Sequence, residues 1–145
     1  MQKITTYLWF DNQAEEAANH YVSIFGDSRI LEVTPMIVTF ELEGQRFIAL
    51  NGGPNFRFTE AISLYVDCES QDEVDELWAR LTADGGEDGS CGWLKDKYGL
   101  SWQIIPKALP RLLSDPDPAR AERAMQAMLK MSKIDVKALE DAANG

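Results

Sequence analysis

The chain has 145 residues, 45% of them apolar and 26% charged, which suits one domain with a hydrophobic core and requires no second. With 24 acidic residues against 14 Lys and Arg the net charge is −10, so a nucleic-acid backbone or an anionic membrane surface is repelled. No apolar run approaches the roughly 20 residues of a membrane span.

The opening MQKITTYLWFDNQ lacks a long apolar core and a small-residue cleavage site, so a cytoplasmic protein is expected. Residues 3–10 suit a strand. Residues 12–25 suit an amphipathic helix, with Ala14, Ala17, Ala18, Tyr21, Ile24 and Phe25 on one stripe and Gly26 as its stop. Extended stretches follow near 29–34, 36–43 and 46–51, the last two joined by a turn at Glu43-Gly44. The connector GGPNFRFTE (52–60) leads to a strand at 61–68 and a helix at 70–83 carrying Val74, Leu77, Trp78 and Leu81. The glycine-rich stretch 85–92 interrupts the chain, and 92–97 with 101–105 form a hairpin around Tyr98-Gly99.

Both halves thus read as βαβββ, the second with a weaker middle strand. YLWFDNQAEEA matches SLYVDCESQDEV in pattern at an offset of 56 or 57 positions, and FIALN resembles SWQII. Two open sheets, each with a helix on one face, are expected to bury their other faces around a shared cleft. Beyond residue 106, Asp117 with Pro118 signals a helix N-terminus and Asp135 a second. Met125, Met128 and Leu129 form a stripe expected to pack on the sheet or on a partner subunit. Cys68 and Cys91 lie too far apart in sequence for a C-x-x-C pair and are expected as reduced thiols.

The stretches YLWFD, ALNGGPNFRFTEAISLYVDC, CGWLKDKYGLSWQIIP and LLSDPDPARAERAMQAML together resemble the PhnB-like branch of the vicinal oxygen chelate superfamily. That superfamily includes glyoxalases, bleomycin resistance proteins and dihydroxybiphenyl dioxygenases, and many members of this branch carry the label 3-demethylubiquinone-9 3-methyltransferase. The resemblance covers nearly the whole chain. It implies an α+β fold in a single domain, 1–145, built from two βαβββ modules at about 1–52 and 61–106 in a glyoxalase/bleomycin-resistance-like arrangement, with a C-terminal helical tail at 107–145. A homodimer is also expected from it. The methyltransferase label finds no support in the residues, because a nucleotide-like methyl donor calls for a strand, a glycine-rich turn and a helix. LNGGPNFRF leads instead into an aromatic connector, and DGGEDGSCGW into a strand.

Enzymes of the superfamily chelate a divalent metal from four equivalent strand positions, which the resemblance maps onto Thr5, Ala49, Ala61 and Gln103. Alanine has no donor atom and threonine a poor one, so neither the usual metal site nor a cofactor is expected. The lone histidine, His20, falls on the first helix and receives no role.

Strand alternation turns Thr5, Tyr7 and Trp9 toward the cleft, with Ile4, Thr6, Leu8 and Phe10 packing on the helix. The same reasoning selects Phe47, Ala49 and Asn51, then Ala61, Ser63 and Tyr65, then Ser101, Gln103 and Ile105. Gln103 is expected to face an aromatic, sparsely polar pocket with Asn51, Ser63 and Tyr65 as partners. Phe56 and Phe58 would close it, and Arg57 would supply a cation. This lining suits a small, largely apolar or aromatic ligand with one or two hydrogen-bonding groups, although the same aromatics would equally fill a core between modules. The expected function is small-molecule binding through Tyr7, Trp9, Asn51, Phe56, Phe58, Ser63, Tyr65 and Gln103. The alternatives are a lyase, isomerase or dioxygenase with metal ligands elsewhere, a metal-free enzyme using Tyr7, Tyr65 or Cys91, and a dimeric interaction module without a ligand.

Overall fold

A computed structural model describes residues 2–145 and divides the chain into two compact units, Met1–Phe58 and Thr59–Gly145. The first contains β1 (Thr6–Phe10), α1 (Ala14–Ile24), β2 (Arg29–Val33), β3 (Ile37–Leu42) and β4 (Gln45–Asn51). Its sheet has the order β1-β4-β3-β2, with β1 and β4 parallel and the other pairs antiparallel. The β3–β4 connection is the two-residue turn read from sequence. Glu43 and Gly44 both adopt positive φ, 51° and 78°, the backbone whose twist matches that of the flanking strands.

Helix α1 buries Ala14, Ala17, Ala18 and Tyr21, and it packs on β3 and β4. Small alanines let the helix approach closely. Leu8, Phe10, Val38, Phe40, Leu42, Phe47 and Ala49 complete this core, and the Phe40 ring stacks on Phe47 at 5.5 Å. Full burial of a side chain of Val to Phe size contributes about 1.5–3 kcal/mol, so this face dominates the unit's stability. Ile4, expected on the helix side, precedes β1 and is 88% exposed.

The second unit contains β5 (Leu64–Cys68), α2 (Gln71–Thr82), β6 (Glu87–Asp88), β7 (Trp93–Lys95) and β8 (Ser101–Pro106). Its sheet order, β5-β8-β7-β6, repeats that of the first, again with the first and last strands parallel. The glycine-rich stretch read as an interruption contains β6, the two-residue edge strand. Val74, Leu77, Trp78 and Leu81 are buried as their helical spacing predicts, and α2 packs on β7 and β8. The β7–β8 connection is organised by Asp96, which is 2% exposed and accepts from Tyr98 N, Leu100 N and the Trp102 indole at 2.9–3.0 Å.

Three helices follow: α3 (Ala108–Leu113), α4 (Pro118–Met128) and α5 (Val136–Asn144). Asp117 caps α4 through Ala119 N and Asp135 caps α5 through Ala138 N, as their positions in sequence predict. Helix α3 was not anticipated. Ile105, Leu109, Leu112, Ala124, Ile134, Leu139 and Ala143 form one buried cluster, with Met128 packed beside it. Met125 and Leu129 are instead 37% and 54% exposed, which corrects their expected packing within this chain.

The segment before α5 is tied to the sheet and to α2 by polar bonds. Met131 O and Ser132 O accept from Cys91 N and Gly92 N, and Ser132 Oγ donates to Gly89 O at 2.6 Å. The Gln71 side chain bridges Ile134 O and Val136 N, and Lys133 pairs with Asp75 at 2.7 Å. No helix among the described residues is long and apolar enough to cross a membrane.

Candidate functional site

In each unit one sheet face is covered by its helix, and the register decides which side chains occupy the other. The parallel pairing of β1 with β4 places Tyr7 beside Ile48, Leu8 beside Ala49 and Trp9 beside Leu50. Laterally paired residues share a face. Leu8 packs under α1, so Ala49 does too, and it is fully buried. Phe47, Ala49 and Asn51 therefore lie on the helix face, contrary to the sequence expectation, while Tyr7, Ile48, Trp9 and Leu50 form the open one.

Asn51 is fully engaged on that helix side. Its Oδ1 accepts from Ala14 N at 2.8 Å, and its Nδ2 donates to Pro35 O at 3.1 Å. The residue before α1, Gln13, makes no side-chain cap, so Asn51 supplies one from β4. Its amide holds helix and loop together and is not presented to the open face.

Trp9 is fixed from several sides. Its indole Nε1–H donates to Gly53 O at 2.9 Å, and its ring meets Phe56 edge-on at 4.8 Å. A Cβ at Gly52 would come within 2.4 Å of the indole, so only glycine lets the connector lie flat on Trp9. Phe58 packs edge-on against Phe10, a helix-face residue, at 5.3 Å. The two connector aromatics thus divide between the faces, Phe56 going to the open one. Tyr7 is 52% and Phe56 65% exposed, and Arg57 is exposed.

The open face of the second unit is more polar. Gln103 on β8 lies between Tyr65 on β5 and Trp93 on β7, so the three form a row across three strands. Gln103 Nε2 donates to Ser63 Oγ at 3.0 Å, the partnership anticipated from sequence. Tyr65 is 55% exposed, and desolvation, then the neighbouring Asp67 carboxylate, raise its hydroxyl pKa above the ordinary tyrosine value. Trp93 was not singled out from sequence. Its hairpin was recognised, but only the observed pairing of β7 with β8 brings it beside Gln103.

Thr5 is half-buried just before β1 and Ala61 is exposed before β5. On the open face of β4, Ala49 is replaced by Ile48 and Leu50, both hydrocarbon. With Gln103 as the single competent donor, this set does not fit a divalent ion held from four strand positions. Among the described residues no group of three or more His, Cys, Asp and Glu side chains is placed to hold a metal ion. His20 is on α1, 5.8 Å from the Tyr21 ring. Burial, then the nearby Glu73 carboxylate, push the Cys68 thiol up to about 12, leaving it protonated and inert. Cys91 is half-buried, with its backbone N–H committed to Met131 O.

Two four-stranded sheets in βαβββ order, each backed by one helix, define an α+β protein of the vicinal oxygen chelate superfamily. Residues 2–105 match the family described as 3-demethylubiquinone-9 3-methyltransferase, and the chain belongs to that family. It is 38% identical to a Bacillus cereus protein bearing that name and the name PhnB, over 72% of this chain and 99% of the other, with a TM-score of 0.68. A glyoxalase/bleomycin resistance protein from Albidiferax ferrireducens shares the fold at 13% identity, covering 73% of this chain and 99% of its own, with a TM-score of 0.55. FosX, a fosfomycin resistance protein from Listeria monocytogenes solved with Mn(II) and sulfate, does so at 14% identity, covering 70% and 88%, with a TM-score of 0.52. No protein of curated function matches the chain.

Proposed function

We propose that the chain is a small-molecule-binding protein that works without the metal site usual in its superfamily, and that the open faces carry the contacts. The observation that supports this most is the row Trp93, Gln103 and Tyr65. Two aromatic side chains flank an amide whose Nε2 is held by Ser63, while its Oε1 makes no hydrogen bond to any described residue. A fixed acceptor between aromatic surfaces suits a largely apolar or aromatic ligand that carries one donor group. Tyr7, Trp9 and Phe56 offer the corresponding aromatic surface in the first unit, and Phe58 supports it from the helix side through Phe10. Asn51 is not part of this set.

The family's name does not decide the activity, and neither glycine cluster opens a helix as a methyl-donor site requires. The half-exposed aromatics also fit a homodimer that covers part of the open faces.

Native mass spectrometry of gently purified protein tests the reading. The expected result is a metal-free dimer carrying a discrete organic mass that disappears in Gln103→Leu and in Tyr65→Ala. A stoichiometric divalent metal, or a retained mass indifferent to both substitutions, overturns it.

A further inference from the structure

We propose that a pocket in the Thr59–Gly145 unit binds a small organic ammonium ion. This pocket, of about 400 Å³, includes neither Gln103 nor Tyr65 in its lining and shares Trp93 alone with the row Trp93, Gln103 and Tyr65. Glu60, the β6–β7 hairpin with Trp93 and Lys95, and Ser101 line it. Its size falls within the range of small-ligand sites, roughly 300–1,000 Å³.

Ser101 is 1% exposed, and its Oγ has no hydrogen-bond partner. Buried hydroxyls are ordinarily satisfied, and one left unpaired is a standing penalty that an incoming donor relieves. Ser101 stands opposite Lys95 in the β7–β8 register, and Lys95 stands opposite Glu87 in the β6–β7 register. The hydroxyl, the ammonium and a carboxylate therefore lie in one row across three strands.

Charge selects the class of ligand. Glu60 and Glu87 bring two carboxylates to the pocket against the one ammonium of Lys95. Lys95 pairs with Glu60 at 3.3 Å, which leaves Glu87 uncompensated, while Asp88, paired with Leu94, turns its carboxylate to the Trp78 indole N–H on the α2 side. The balance stays negative, so a carboxylate ligand is repelled and a cation attracted. A primary ammonium carries three N–H donors, matching Ser101 Oγ and the carboxylates, and Trp93 offers an aromatic ring of the kind that attracts organic cations. The wall is held in place by the bond from Ser132 Oγ to Gly89 O and by that from Gly89 N to Trp93 O at 2.9 Å.

The test is an amide and indole chemical-shift titration of the full chain with n-butylammonium chloride, beside n-butanol, sodium butyrate and magnesium chloride. Saturable shifts at Lys95, Ser101 and the Trp93 indole with the ammonium salt alone are expected. Ser101→Ala should weaken binding about fivefold, the equivalent of one lost hydrogen bond, and it should fold at least as stably because it removes an unpaired hydroxyl. Glu87→Gln, on an exposed side chain, should weaken it by a smaller factor and reduce its dependence on salt, while Gln103→Leu should leave it unchanged. Matching shifts with butanol, butyrate or magnesium, no saturable shift, or affinities unmoved by both Ser101→Ala and Glu87→Gln overturn the proposal.

Discussion

In the first unit the N-terminus of α1 is capped by Asn51, 37 positions downstream on β4, whereas in the second α2 is capped within its own first turn. There Ser70 Oγ accepts from Glu73 N, and Glu73 Oε1 accepts from Glu69 N. One repeat thus ties its helix to its sheet through a long-range amide. The other caps its helix locally and commits the buried Asp96 carboxylate to the β7–β8 connection itself. A shared topology therefore does not imply shared anchors, and equivalent substitutions should act differently in the two halves.

The largest effect is expected for Asp96→Ala, which strands three donors around the β7–β8 connection and should cost about 3–5 kcal/mol. Hydrogen exchange should show the loss of protection concentrated in α2, β7 and β8. Equal loss in α1 and β3 would mean that the units do not respond separately. Gly52→Ala forces a methyl into the Trp9 indole and should cost about 1–3 kcal/mol, with a change in near-UV circular dichroism. Asn51→Ala should cost about 1–2 kcal/mol because it removes both a helix cap and the bond to Pro35 O. Ser70→Ala should cost about 1 kcal/mol or less, since Glu73 keeps its own bond. Denaturant titrations that rank Ser70→Ala above Asn51→Ala would reverse the contrast.

The smallest effect concerns pH. Hydrogen bonds from Lys133, then Gln71, lower the Asp75 pKa below its ordinary value. A lowered folded-state pKa gives stability that is present above the unfolded carboxylate value and is lost as pH falls through the folded one, so the window opens below about pH 4. The groups are well exposed, and screening keeps the effect modest. Protection factors of the α5 amides, which correct for the pH dependence of intrinsic exchange, should fall on acidification in the native chain and less so in Lys133→Met. An identical acid response in both would remove this pair as a tether.

Much of this was legible in the sequence because the signals are local. Ser70, Asp117 and Asp135 act within a turn of their own positions, and the alternating and helical stripes around Phe40 and Leu77 have a single solution. Strand β4 was not legible in the same way. Phe47, Ile48, Ala49 and Leu50 are all apolar, so alternation does not say which pair faces α1, and only the pairing of Leu8 with Ala49 settles it. Asn51 was misplaced with them. The Gln103–Ser63 bond was found because Gln103 is the polar exception in an apolar run, whereas Trp93 and the unpaired Ser101 hydroxyl emerge only from the sheet register. Helix α3 was missed because Pro110 lies inside its six residues, in the first turn where proline is tolerated.

The cover over Ile105 bears on the order of events during synthesis. Its buried neighbours run from Leu109 to Ala143, and the β6–β7 turn donates backbone bonds to Met131 O and Ser132 O. All core residues named for the first unit lie between Leu8 and Ala49, so they leave the ribosome long before Ile134 or Leu139 exists. The second sheet then emerges with Ile105, on its inner strand β8, waiting for the cover of α4 and α5. Nascent chains stalled between β8 and α4 should therefore engage holdase chaperones more than chains stalled shortly before β5 or after α5.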